Sequence, residues 1–244
     1  RVAADLPPKQ EQVLRVELNP RHRRIYDTHL QRERRKVLSL LDDVQKNRFT
    51  ILRSLTLLRQ LSLDASLVDE QYHGVASSKI DVFLEQLDEV IAGGHRALVF
   101  SQFTSFLGRV RDRLDAAGID YCYLDGRTRN RARRVEEFKT GSAPVFLISL
   151  KAGGFGLNLT EADYCFVLDP WWNPAAEAQA VDRTHRIGQD KNVMVYRLVA
   201  DQTIEEKVLA LQARKRDLFD AVVNADGDLS APLSASDIRE LLAV

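Results

Sequence analysis

The sequence predicts a doubly wound α/β fold built on a parallel sheet. Between residues 97 and 200, five short apolar runs alternate with amphipathic helical segments. The runs are RALVFSQF, YCYLDG, PVFLISL, YCFVLD and VMVYRLVA, and each holds consecutive apolar residues instead of one at every second position. Continuous apolar runs mark strands covered on both faces, and parallel strands joined by helices are covered in that way. SQF, DGRT, SLKAGG and DPWWN also each follow a strand end. Open parallel sheets bind ligands just outside the carboxyl ends of their strands, so these four stretches are candidates for function.

Ahead of the sheet, LPPK leads into VLRVEL, whose alternation reads as a short strand. Residues 20–63 are charged and Leu-rich, and no Gly or Pro interrupts residues 21–63, which predicts two or three helices. Residues 64–77 read as a loop. SKIDVFLEQLDEVI then places Ile80, Phe83, Leu84, Leu87, Val90 and Ile91 on one helical stripe, stopped by Gly93 and Gly94. FLGRVRDRLDAAG and TRNRARRVEEFKTG are further helices, and NPAAEAQAVDRTHRIG is another with proline at its first turn. TIEE, residues 203–206, reads as a capping box opening a helix that runs to about Asn224. NADGDLSAPLS is a polar linker and SASDIRELLA a short terminal helix. The expected organisation is a linker and helical extension over 1–77, an α/β lobe over 78–200 and a helical tail over 201–244.

Composition narrows the class. The chain has 244 residues, 45% hydrophobic and 29% charged, as ordinary soluble domains do. No apolar run approaches the ~18–20 residues of a membrane span, so no membrane partner is expected. Cys122 and Cys165 each sit in an apolar run and form neither a disulfide framework nor a zinc set, which fits a reducing, cytoplasmic setting. Lys plus Arg and Asp plus Glu balance at 35 each, against wholesale polyanion binding. The charge is uneven, with thirteen basic and six acidic residues from Lys9 to Arg59 and five arginines in GRTRNRARR. Such clusters are solvated faces unless other features point to nucleic acid. The chain does not begin with Met and is expected to be part of a longer protein.

No GxxxxGK[ST] is present to cradle β- and γ-phosphates, and no DExx pair follows a strand to hold magnesium. GxSxG and HExxH are absent too, so neither a serine nucleophile nor a metal site is expected. AGGFGLN, residues 152–158, is a glycine-rich turn. Gly154 and Gly156 fit a dinucleotide fingerprint, but Leu159 takes the third glycine's place and Asp169 comes too soon for the ribose-binding acid. A tight turn is the plainer reading, and an NAD enzyme is disfavoured. In DPWWN, adjacent tryptophans cannot both face one core, so one of Trp171 and Trp172 is expected to be partly exposed or packed against another domain. QAVDRTHRIGQ, residues 179–189, sets Arg183 and Arg186 three apart, on one helical face. That pair is either a solvated face or two planar forks aimed at phosphate. With no phosphate cradle in the chain, the anion would have to be held by another domain or another chain.

These motifs together resemble the second RecA-like lobe of SWI/SNF-type ATPases, the double-stranded-DNA translocases of helicase superfamily two. The resemblance runs through LPPKQEQ, the LRQL helix, SSKIDVFLEQL, RALVFSQFTSFL, YLDGRTRNR, FLISLKAGGFGLNLTEAD, DPWWNPAAEAQAVDRTHRIGQ and DQTIEEKVLALQARKRDL, and so covers nearly the whole chain. DGRT and SLKAGG suggest a bacterial member. The resemblance implies a P-loop NTPase-like fold lacking its own P-loop, with ATP and magnesium held mainly by a first RecA-like lobe of the same protein. It makes Arg183 and Arg186 the arginine fingers, with Gln179 and Asp182 orienting them. It places Gly154, Gly156 and Asn158 in the motif that closes on the nucleotide. Ser101, Gln102, Gly126, Arg127, Arg131, Ser149 and Lys151 fall in motifs that touch the DNA backbone. The family pattern has Thr where Leu150 stands, which removes one hydroxyl. The implied partners are double-stranded DNA, the N-terminal lobe, and RNA polymerase or another DNA-bound protein. A non-catalytic DNA- or protein-binding regulatory module is the alternative.

Overall fold

The computed structural model describes residues 8–149, 158–172, 177–178, 181–182, 189–214 and 233–244. Six strands form one sheet: β1 (Lys9–Val16), β2 (Ala97–Ser101), β3 (Tyr121–Leu124), β4 (Val145–Ser149), β5 (Tyr164–Val167) and β6 (Val193–Ala200). Their order is β1-β6-β5-β2-β4-β3, and every neighbouring pair is parallel. All five strands anticipated between 97 and 200 form. The sixth overlaps VLRVEL, the short strand anticipated ahead of the helical extension: β1 runs beside β6 in register from Lys9↔Val193 to Val16↔Ala200.

Successive side chains of a strand point to opposite faces, and the core divides accordingly. Leu98 and Phe100 of β2 pack with Phe146, Ile148, Cys165 and Val167 in one cluster. Ala97 and Val99 pack with Val145, Leu147 and Phe166 in the other. The first face is covered by α1 (Pro20–Leu38), α2 (Arg48–Leu63), α5 (Arg131–Thr140), α6 (Ile204–Arg214) and α7 (Ala235–Leu241), the second by α3 (Ser78–Ala92) and α4 (Thr104–Ala116). Helices on both faces explain why the strands read as unbroken apolar runs. Phe83 of α3 meets Phe166 edge to face, with centroids 5.1 Å apart. Each such buried ring contributes roughly 1.5–3 kcal/mol of transfer free energy.

Two local expectations change. Residues 64–77 contain two turns of 3₁₀ helix, Ala65–Leu67 and Glu70–Tyr72, each opened by an aspartate side chain that accepts a backbone N–H two residues on. At α6, Thr203 accepts from the Glu205 N–H at 3.1 Å. Glu206 leaves the capping box open and pairs instead with Arg15 of β1 at 2.9 Å, because β1 runs alongside. A closed capping box appears at α7, between Ser234 and Asp237. Cys122 and Cys165 are both free thiols. They lie on β3 and β5, three strand spacings apart, or roughly 14 Å, beyond disulfide reach. Burial pushes the Cys165 thiol up to about 12. No described helix is long and apolar enough to cross a membrane.

The extension is part of the core. Asn19 caps α1 by accepting from the His22 N–H at 2.9 Å, and the Tyr26 hydroxyl accepts from the Ile204 N–H at 2.7 Å. His22 is fully buried, and its Nε2 lies 2.5 Å from the Leu61 carbonyl. A carbonyl only accepts, so the neutral ring carries its proton on Nε2. Nδ1 is then left without a partner among the described residues. Burial holds the His22 pKa below 6.5, with the Leu61 carbonyl and Asp64 pulling it back up. An unfolded chain takes up this proton near pH 6.5, where the folded chain refuses it. The stabilising contribution is therefore complete above pH 6.5 and declines as pH falls below that value. Urea melts are expected to show this as a slope of up to about 1.4 kcal/mol per pH unit. His22→Gln keeps the Nε2 donor and should flatten that component. Equal slopes in the two proteins would refute the assignment.

Candidate functional site

The turn after β3 leaves the same end of the sheet two strands from β2, while the loops leaving the carboxyl ends of the neighbouring strands β2 and β5 lie side by side where the strand order reverses. Beneath them lies a buried polar network. Ser101 ends β2, and its hydroxyl donates to Asp169 Oδ1 at 2.5 Å and accepts from the Phe103 N–H at 3.1 Å. Asp169 Oδ2 accepts the Gln102 N–H at 3.2 Å. Asp169 thus ties the turn after β2 to the loop after β5. Burial pushes its carboxyl above the usual range, opposed by Lys79, the Ser101 hydroxyl and Arg59.

Lys79 of α3 is fully buried and donates to the Leu168 carbonyl and, at 2.5 Å, to Glu205 Oε1. The same oxygen accepts the Ala200 N–H at 2.9 Å, while Glu205 Oε2 has no hydrogen-bond partner among the described residues. Burial raises the Glu205 pKa, and Lys79 draws it down. Arg59 of α2 donates to Gln102 Oε1 and, at 3.1 Å, to the Pro170 carbonyl. Glu177 accepts from the Trp171 N–H at 3.3 Å and pairs with Arg197 of β6. Arg59, Lys79 and Arg197 therefore face Asp169, Glu205 and Glu177, three cations against three anions. That balance makes the burial of so much charge tolerable.

The tryptophan expectation is corrected. Trp171 and Trp172 are both buried, at 5% and 7% exposure, in the same cluster. The alternation that would separate neighbours holds for a strand. This loop is irregular, and its backbone turns both rings inward.

The turn after β3 is built around Asp125, whose carboxylate accepts from the Arg127 N–H at 2.8 Å and the Tyr123 hydroxyl at 2.8 Å. Partial burial pushes this carboxyl up, but those bonds and Thr128 outweigh it and hold the pKa below the usual value. Gly126 and Arg127 are exposed and Arg131 is half-buried at the start of α5. Gln102 is half-buried. Two residues anticipated at the DNA surface are placed elsewhere. Ser101 is fully buried and its hydroxyl is committed to Asp169. Ser149 is 1% exposed, with no hydrogen-bond partner for its hydroxyl among the described residues. Both are last residues of central strands, paired with each other in register, and so point into the core. Asn158 is exposed, and Asp182 is exposed beside the buried Val181 in a helical segment. Lys151, Gly154, Gly156, Gln179, Arg183 and Arg186 lie outside the described residues. Among the described residues, no group of three or more His, Cys, Asp and Glu could hold a metal ion.

Arg59, Lys79 and Glu205 are what sequence reasoning misses. Arg59 carries one signal, a charged side chain set in the apolar run LTLLRQLSL, while Lys79 in SSKID and Glu205 in TIEEK carry none.

Comparison with known proteins agrees with this arrangement. Residues 78–188 match the helicase conserved C-terminal domain. The chain is 35% identical over 244 residues to an uncharacterised ATP-dependent helicase of Mycoplasma pneumoniae, covering 99% of this chain and 23% of that protein. It superposes on the Sulfolobus solfataricus SWI2/SNF2 ATPase core in complex with dsDNA with a TM-score of 0.78 and 29% identity, covering 98% of this chain and 51% of the other. On the separate C-terminal domain of that ATPase the TM-score is 0.74 at 27% identity, covering 97% of this chain and all of the other. The chain carries a helicase conserved C-terminal domain on a RecA-like sheet. It belongs with the SWI2/SNF2-type C-terminal lobes. It spans less than a quarter of the length of the curated relatives it matches.

Proposed function

We propose that this chain is the second motor lobe of an ATP-dependent translocase on double-stranded DNA. In this reading Gln102, Gly126, Arg127 and Arg131, with Lys151, face the phosphate backbone. Ser101 acts from beneath, by tying the end of β2 to Asp169. Arg183 and Arg186, with Gln179 and Asp182 beside them, present guanidinium forks to a nucleotide seated on a first lobe, and Gly154, Gly156 and Asn158 close over it. ATP with magnesium supplies the bond to be hydrolysed, and this chain's own part is to bring positive donors to it. The observation that carries the reading is that the SQF turn, the DGRT turn and the DPWW loop all leave the carboxyl ends of strands in one parallel sheet, with the first and last tied together through Asp169. The dsDNA-bound neighbour supports it. Contacts to phosphate position a protein without reading bases, so no sequence preference is expected.

Duplex binding tests the DNA half. Affinity of the chain is expected to fall with salt, with a slope of about −0.9 per phosphate neutralised. Arg127→Ala with Arg131→Ala should flatten that slope by about 2. An unchanged slope would remove the DGRT turn from the interface.

A further inference from the structure

Arg59 belongs to the helical pair ahead of the sheet, yet its guanidinium lies at the strand-end edge, between the rings of Phe103 at 5.2 Å and Trp172 at 5.1 Å. The same terminal nitrogen reaches the Pro170 carbonyl and Gln102 Oε1. Its side chain is buried, and no carboxylate touches it among the described residues; Asp169 and Glu205 act on it at longer range. A guanidinium has five donors and no acceptor. It can therefore engage only the oxygen of the Gln102 amide, never the nitrogen. Once that oxygen is turned inward, the NH₂ is the part of the half-buried amide left to face outward. Phosphate oxygens only accept. An amide with its carbonyl outward would repel them, and one with its NH₂ outward offers them two donors.

We infer that Arg59 is a positioning residue: it fixes the orientation of the Gln102 side chain so that amide N–H donors are presented to DNA phosphate. The inference rests on the reading that Gln102 faces DNA. It also gives the helical extension a role, because α2 carries the group that braces both the turn after β2 and the loop after β5. Packing alone does not call for arginine here. A side chain such as methionine fills space between two rings without desolvating a charge.

The test is a double-mutant cycle on duplex affinity with Arg59→Met and Gln102→Ala. Each single variant is expected to weaken binding about tenfold, the size of one lost charge-assisted hydrogen bond. The double variant should bind no worse than either single one, because both remove the same donors. A second readout is the Gln102 side-chain NH₂ signal in a ¹⁵N–¹H spectrum, assigned by its loss in Gln102→Ala. It should shift on adding duplex in the wild type and fail to do so in Arg59→Met. Should Arg59→Met not fold, Gln102→Glu serves instead. It keeps an inward oxygen for Arg59 and an unchanged melt, but offers an acceptor outward, and should lose as much affinity as Gln102→Ala. Full additivity in the cycle, or wild-type affinity in Gln102→Glu while Gln102→Ala is weakened, overturns the inference alone. Wild-type affinity in Gln102→Ala removes the premise as well.

Discussion

Replacing Lys79 by methionine is expected to cost this domain about 3–5 kcal/mol of unfolding free energy, the usual result of removing one partner of a buried ion pair. Methionine matches the length and apolar stem of lysine, so little packing is lost. What is lost is the charge that offsets Glu205, whose side chain is 1% exposed and whose second oxygen is already unpartnered among the described residues. The Leu168 carbonyl loses its donor at the same time. The pH dependence identifies the cause. Burial already raises the Glu205 pKa, and Lys79 restrains that rise. Without Lys79 the pKa climbs further, and the carboxyl is tolerated when it carries a proton. For an acid whose folded pKa lies above its unfolded value, the penalty is complete at high pH and is relieved as pH falls through the folded pKa. The deficit of Lys79→Met, measured by urea denaturation, should therefore shrink as pH is lowered from neutrality. Adding Glu205→Gln removes the orphaned charge and keeps an acceptor for the Ala200 N–H. It should recover more than half of the loss at neutral pH. A pH-independent deficit, with no recovery in the double variant, would show that Lys79 acts through shape and not through charge.

The second large effect follows from the proposed function and concerns catalysis when this chain is joined to a first lobe. Arg186→Ala there is expected to lower DNA-stimulated ATP turnover by ~10³–10⁵, the range for loss of an arginine that stabilises transferring phosphate. Arg186→Lys should restore little of it, because an ammonium lacks the planar fork that meets two phosphate oxygens. Duplex affinity should hardly change, which separates a finger from a DNA contact. The isolated chain is expected to turn over no ATP, since its sequence contains no GxxxxGK[ST]. Turnover by the purified chain that disappears in Arg186→Ala would overturn the proposal that a first lobe holds the nucleotide.

The sheet is legible in the sequence because strands covered on both faces leave apolar runs that no surface helix produces, and all five strands between residues 97 and 200 lie within theirs. The sixth strand is harder to place. β1 is read as a strand, but it lies at the sheet edge with most of its residues exposed, so its composition carries no sign of its partner. The strand-end motifs stand out because glycines, tryptophans and arginines interrupt simple patterns. What binds them together does not. Arg59 and Gln102 are 43 residues apart, and Lys79 and Glu205 are 126 apart. Such pairs follow from the tertiary arrangement, which periodicity cannot report. Ser101 and Ser149 illustrate the converse, since a motif identifies the right turn while leaving open whether its hydroxyl faces solvent or the core.

The β1–β6 ladder has a mechanical consequence. β1 lies parallel to β6 over eight paired residues, and the Asp201 N–H donates to the Val16 carbonyl at 2.7 Å where the two strands end. A pull on the chain at Lys9 along the strand axis loads this ladder in shear, so its rungs must fail together and not one at a time. Tension entering there moves the whole sheet without slack. It arrives at the turn between β6 and α6, where the Ala200 N–H is bonded to Glu205 of the Lys79–Glu205 pair.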